Sequence, residues 1–132
     1  MRLRKSGSRG FSLLELVIVI AILGILVLIA KPAWDTSRKR TRETILMTNL
    51  HRIRDAITTH VADKGKLPDS LEALVTAGYF GQIPEDPIAK TRTWSPEFGK
   101  LPGSNALSEA GVLDVHSTSD ALAIDGTPYN TW

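Results

Sequence analysis

The rhythm of polar and apolar positions changes several times along the chain. Residues 1–10 carry Arg2, Arg4, Lys5 and Arg9 and no acid. The following run, Phe11-Ser-Leu-Leu-Glu-Leu-Val-Ile-Val-Ile-Ala-Ile-Leu-Gly-Ile-Leu-Val-Leu-Ile-Ala30, is apolar all round except for Ser12 and Glu15 near its start. It is long enough to cross a bilayer as a helix, which takes about 20 apolar residues. From Asp35 the pattern becomes a stripe. Leu46, Leu50, Ile53, Ile57 and Val61 recur at spacings of four, three, four and four, one face of a helix of period 3.6. Arg38, Arg42, Asn49, Arg52, Asp55 and Thr59 occupy the opposite face. Gly65 and then Pro68 stop the pattern. Pro32 is the one proline between Phe11 and Gly65, so the simplest reading is a single long helix. Its first half spans a membrane, its second half is amphipathic, and Pro32 marks a kink.

Past Gly65 the periods shorten. Asp69-Ser-Leu-Glu72 has capping-box spacing with Asp69 as the cap, and it opens a short helix through Val75 that Gly78 closes. Turn signals follow at Pro84, Asp86-Pro87, Ser95-Pro96, Pro102-Gly103 and Asp125-Gly126. Residues 92–94 and 112–116 are the best strand candidates. Residues 97–110 show no period and read as a loop. The resulting organisation is a leader at 1–10, a hydrophobic helix at 11–34, an amphipathic half-helix at 35–64, and a small head at 65–132. The fold class is α+β, with the second half of the helix packed on a small antiparallel sheet and loops.

Charge sharpens the picture at the N-terminus. The 132 residues carry a net charge of +2 and a sequence pI of about 9.1, a value that invites a nucleic-acid reading. Losing the four basic side chains of residues 1–10 would bring the charge to about −2, so no nucleic-acid partner is expected. A secretory signal peptide fits residues 1–30 poorly. The apolar run exceeds an h-region of about 7–15 residues, and no small-x-small cleavage site closes it. Basic residues flank the run on both sides, so the preference of Lys and Arg for the cytoplasm barely orients it. The chain has no cysteine, which removes disulfides and thiolate metal sites from consideration.

Glu15 is the residue that asks for a function. A carboxylate in a spanning segment costs roughly 2.5–3.5 kcal/mol at the bilayer centre, and less near an interface. Nothing in residues 11–30 supplies a cation to it. The junction Ser-Arg-Gly10 followed by Phe11-Ser-Leu-Leu-Glu15 resembles the cleavage and methylation signal of type IV prepilins and type II secretion pseudopilins. The resemblance implies a cut after Gly10 by a prepilin peptidase and N-methylation of Phe11. The new amine of Phe11 is then the missing cation, and in a filament it pairs with Glu15 of a neighbouring subunit. Gly24 and Pro32 fall where many members of the family carry helix-weakening residues.

The head narrows the family. Gly65-Lys-Leu-Pro68, the short helix, Gly78-Tyr-Phe80 and Ile83-Pro-Glu-Asp-Pro87 are similar in order to the head of the major pseudopilin of type II secretion. Gly111-Val-Leu-Asp114-Val-His-Ser117 and Asp125-Gly-Thr-Pro-Tyr-Asn-Thr-Trp132 look like its C-terminal loop. Where the family usually continues Trp-Gly and an aromatic after Asp-Pro, this chain has Ile88-Ala-Lys-Thr-Arg-Thr-Trp94. Major pseudopilins bind calcium in that loop, so the resemblance implies Ca2+ at Asp120, Asp125 and Ser117, with Asp114 a weaker fourth ligand. Asp120 and Asp125 also read as ordinary turn residues.

The remaining chemistry-bearing residues read as structure. His51, His60 and His116 have no ligand spacing, His60 suits the edge of a core, and His116 reads as strand decoration. Arg38-Lys-Arg-Thr-Arg42 is a solvated face beside lipid headgroups, and Trp34 an interfacial anchor. The chain is therefore expected to be no enzyme but a filament subunit. It would sit in the bacterial inner membrane by a single pass with its head in the periplasm. Its partners would be further copies, other pseudopilins, prepilin peptidase and an inner-membrane assembly platform. A type IV pilus subunit, a competence pseudopilin for DNA uptake and a tethered enzyme are the rivals. Surface fibres, a transformation defect or a catalytic constellation would distinguish them.

Overall fold

A computed structural model describes residues 10–103 and 110–132. The leader expected at residues 1–10 lies, up to Arg9, outside the described residues, as do residues 104–109 of the expected loop. The order of elements is α1 (Leu13–Lys64), α2 (Leu71–Thr76), β1 (Ser95–Gly99), β2 (Gly111–His116) and a terminal 3-10 turn at Tyr129–Thr131. By compactness the chain divides into Met1–Ser37 and Arg38–Trp132.

In the first unit α1 is long and apolar enough to cross a membrane, with none of its most apolar stretch buried. Every large hydrophobic side chain of residues 13–29 is exposed. Leaving such a side chain in water forgoes roughly 1.5–3 kcal/mol, so this surface carries tens of kcal/mol of unmet burial. Such a surface calls for an apolar partner. The α-helix runs through Gly24 and Pro32 as one element.

The second unit holds the core. Leu46, Leu50, Ile53 and Ile57 of the α1 stripe are buried, and Val61 packs at the edge. Against them lie Leu67, Leu71 and Leu74, then Trp94, Val112, Val115, Ala123 and Tyr129. Gly65 ends α1 with φ +70° and donates its N–H to the Val61 carbonyl, a conformation that costs glycine little. Helix α2 is capped by Ser70, not Asp69. Ser70 is extended and its hydroxyl accepts from Ala73 N–H at 3.2 Å, the usual reach from cap to third helical residue. At its other end Tyr79 N–H bonds the Leu74 carbonyl and Gly78 N–H that of Val75, a complete Schellman closure.

The two strands pair antiparallel, Ser95 opposite His116 and Glu97 opposite Asp114, with a bulge between Glu97 and Phe98. The second strand falls where the pattern predicts it, one residue earlier at Gly111. The first does not: it occupies residues 95–99, not 92–94, and takes the start of the expected loop. Four of its five residues are exposed, so it shows no alternation. Pro96 reads as a turn, yet an edge strand tolerates proline, and in a two-stranded ribbon every strand is an edge. Trp94 is instead the anchor before the strand, buried with its indole N–H donated to the Pro84 carbonyl at 2.9 Å. At Gly111 a Cβ would come within 2.6 Å of Leu67 Cβ and 2.8 Å of the Pro68 carbonyl oxygen. That close approach lets Val112 N–H reach Pro68 O at 2.8 Å.

Candidate functional site

Two regions carry the residues singled out by the sequence, and the first is the start of α1. Gly10, Phe11 and Ser12 precede the helix, and Phe11 is exposed. The Ser12 carbonyl accepts the first helical bond, from Leu16 N–H at 3.1 Å. Glu15 lies in the first turn, three residues past Ser12. A carboxylate there meets the positive end of the helix dipole, a favourable interaction of about 0.3–1 kcal/mol at exposed sites. Glu15 lies four residues along the chain from the amine that cleavage at Gly10 would create. Gly24 stands in open space, with nothing within 4 Å of its Cβ position.

The second region is the C-terminal loop. Ser117 is fully buried, and its hydroxyl donates to Asp86 Oδ2 at 2.5 Å while accepting from Ser119 N–H at 3.1 Å. Asp86, also fully buried, accepts at Oδ1 from Ile88 N–H at 2.7 Å and Ala89 N–H at 3.0 Å. This carboxylate organises the turn after Pro84 and ties it to the end of β2. In the sequence Asp86 reads as a turn residue. Its signal was the Asp-Pro pair, which marks a turn without revealing that the side chain faces inward.

Asp120 and Asp125 are exposed. Asp125 Oδ1 accepts from Thr127 Oγ1 at 2.7 Å and Thr127 N–H at 2.9 Å, and these bonds hold its carboxyl below the usual carboxylate range. Asp114 is bound to Arg54, whose Nε stands 2.6 Å from Oδ1. Partial burial pushes the Asp114 carboxyl up, but the Arg54 guanidinium and the Val115 N–H together bring it below the ordinary value. A second clamp, also unforeseen, comes from Glu43 of α1. Its Oε1 accepts from Tyr129 OH at 2.8 Å and Ile124 N–H at 2.7 Å. Burial first, and then the Glu43 carboxylate, push the Tyr129 phenol up to about 12. His60 is a core-edge residue, buried with Nδ1 3.0 Å from the Lys66 carbonyl and its ring edge-on to Tyr79.

Residues 5–30 match a family model described as the prokaryotic N-terminal methylation motif. The chain carries a prepilin-type N-terminus. Beyond this motif, the chain is 28% identical to the type II secretion system core protein G of Klebsiella pneumoniae, over 91% of this chain and 87% of that protein. It is also 28% identical to the protein of that name from Pectobacterium carotovorum subsp. carotovorum, over 91% and 78%. A type IV major pilin of Neisseria gonorrhoeae is 41% identical, but over 47% of this chain and 38% of that protein. No solved structure matches the chain. The prepilin-type segment contains the exposed apolar half of α1, Glu15 and Gly24, so the motif and the surface that needs covering are one stretch of chain.

Proposed function

We propose that this chain is the structural subunit of a periplasmic pseudopilus that drives type II protein secretion. The observation that carries the reading is likeness to core protein G over nine-tenths of the chain, joined to the methylation motif at residues 5–30. The type IV major pilin of Neisseria gonorrhoeae matches at higher identity across less than half of the chain, and that of Myxococcus xanthus at 28% identity over 86% of this chain but 43% of its own length, which favours them less. The work of the chain is mechanical and it catalyses no reaction.

Prepilin peptidase cuts after Gly10, and the Phe11 amine so released is methylated. The subunit waits in the inner membrane on one pass, its head in the periplasm, until the assembly platform draws it into the filament with other pseudopilins. Helices from residues 11–34 form the core, which covers the apolar surface as lipid did before. Glu15 of each subunit meets the Phe11 amine of a neighbour, and Gly24 and Pro32 let the helix loosen as packing demands. Pro32 contributes through its missing N–H, which leaves one helical carbonyl without a donor.

Calcium in the C-terminal loop belongs to this reading in a reduced form. Asp120 and Asp125 have exposed carboxylates suited to a hard ion that takes six to eight oxygens, and loop carbonyls would complete the set. Ser117 and Asp114 fit less well, since the hydroxyl of one is shared between Asp86 and Ser119 and the carboxylate of the other is held by Arg54.

Deletion of the gene should strand secreted proteins in the periplasm without removing surface fibres. Mass spectrometry of membranes should find a mature chain that begins at methylated Phe11. An intact Met1 terminus, a cut near Ala30, or normal secretion without the gene would refute the proposal.

A further inference from the structure

We infer that the β1–β2 ribbon carries a site for a divalent transition-metal ion of the zinc class, held by Glu97, Asp114 and His116. The placement follows from register. Glu97 and Asp114 are direct cross-strand partners, and His116 lies two residues beyond Asp114, so all three project from one face of the ribbon. One ligand atom from each lies within 4.8 Å of the others.

The imidazole of His116 supplies a second, independent indication. Its Nδ1 stands 2.6 Å from the backbone oxygen of Trp132, an acceptor only, so Nδ1 carries the proton and donates. In the neutral ring that leaves a lone pair on Nε2. Metal-bound histidines are oriented in this way, the far ring N–H fixed by a carbonyl or carboxylate. The lone pair faces another acceptor, Glu97 Oε2, at 3.3 Å. A charge-assisted N–H to carboxylate bond is shorter, about 2.7–2.9 Å. Two ligands about 2.0–2.1 Å from one tetrahedral ion stand about 3.3 Å apart. The observed separation is one that a shared cation would also set.

Asp114 completes the set from the partly buried side. Arg54 Nε and the Val115 N–H bond its Oδ1, whereas Oδ2 accepts a single long bond of 3.4 Å from Arg54, the weaker hold and the one an ion would have to replace. Glu97 is exposed, so an ion enters from solvent and a water molecule takes the fourth position. One imidazole and two carboxylates suit zinc and its neighbours. Calcium, which takes oxygen ligands, would gain nothing from His116. The site shares only Asp114 with the calcium reading and does not depend on the filament reading.

The test uses the purified full chain in detergent micelles with any affinity tag removed. Calorimetric titration with zinc chloride should show saturable binding of one ion per chain, undisturbed by excess calcium chloride. His116→Ala and Glu97→Gln should each weaken binding by more than about tenfold, the lower end of what losing even a supporting partner brings. Glu97→Gln touches an exposed side chain and should leave the fold intact, and Asp125→Asn should bind zinc as the parent does. Cobalt(II) should give the intense visible absorption of a tetrahedral centre in the parent and lose it in Glu97→Gln. Absence of saturable zinc binding, displacement by calcium, or equal affinity in the parent and Glu97→Gln would overturn the inference.

Discussion

Removing the Asp86 carboxylate should cost the head more than any surface change, and the loss can be sized from its contacts. Three donors converge on it: the Ile88 and Ala89 N–H groups and the Ser117 hydroxyl. Asp86→Ala strands all three in or near the core. A buried polar group left without its partner costs about 1–3 kcal/mol, and water entering the space left by the carboxylate recovers part of it. The expected loss is about 3–5 kcal/mol, a large share of the roughly 5–15 kcal/mol that stabilises a typical domain. Ser117→Ala removes the bond to the Asp86 carboxylate and also the acceptor of the Ser119 N–H, and should cost about 1.5–3 kcal/mol. The two losses should be strongly non-additive, because the double variant no longer holds a carboxylate short of a donor. Urea unfolding of the full chain in micelles, followed by near-ultraviolet circular dichroism, reads these differences. The Ser117→Ala loss should be equal in calcium and in chelator. If it disappears in chelator, the hydroxyl serves a calcium ion and the account of the Asp86–Ser117 bond is wrong. A loss under about 1 kcal/mol for Asp86→Ala would refute the burial argument itself.

Glu15→Ala and Glu15→Gln should both be cut after Gly10 yet accumulate in the inner membrane and yield few filaments on overexpression, as immunoblots and electron microscopy would show; efficient assembly would remove Glu15 from the mechanism. Tyr129 has its phenol raised from about 10 to about 12, so the folded state holds that proton more tightly than the unfolded state. The associated stability is complete below about pH 10 and is lost as pH rises through about 12. Tyr129→Phe should be less stable by about 1 kcal/mol at neutral pH and should flatten this alkaline decline in pH-dependent unfolding. Gly111→Ala should lower stability by about 1–3 kcal/mol through overpacking against Leu67 and Pro68, and an unchanged urea midpoint would show that the strand start can shift.

What the sequence displayed well was whatever repeats or stands isolated. The α1 stripe is legible because Leu46, Leu50, Ile53 and Ile57 recur on one helical face and all four are buried. Glu15 is legible because a lone carboxylate in an apolar run has no trivial explanation. The first strand was not legible, since a ribbon edge that leaves residues 95–98 in solvent writes no alternation. The cap of α2 was displaced by one residue because Asp69 and Ser70 are both good caps, and only the extended backbone at Ser70 chooses between them. Asp86, Glu43 and Arg54 were missed for a common reason. Each acts across 31 to 86 residues of chain, and long-range hydrogen bonds leave no local period.

Those three residues also explain how so little regular structure makes a firm head. The described residues beyond α1 contribute one short α-helix, a two-stranded ribbon and a terminal 3-10 turn, and an isolated ribbon of that kind is marginal in water. Glu43 and Arg54 project from α1 to opposite ends of the C-terminal segment, one to Tyr129 and Ile124, the other to Asp114 and the Val115 carbonyl. Asp86 then binds the intervening Ser117 from the loop after Pro84. The irregular segment is thus held at three separated points by charged acceptors or donors, each satisfied by more than one bond. Because two of those points lie on the amphipathic half of α1, a pull along that helix would load the head through side-chain hydrogen bonds as well as through packing. Such an arrangement suits the proposed filament subunit, which would be drawn by its N-terminal helix without shedding its head. It also predicts that Glu43→Gln, which keeps an acceptor but removes the charge, will weaken the loop less than Glu43→Ala, which leaves the Tyr129 hydroxyl and the Ile124 N–H without a partner.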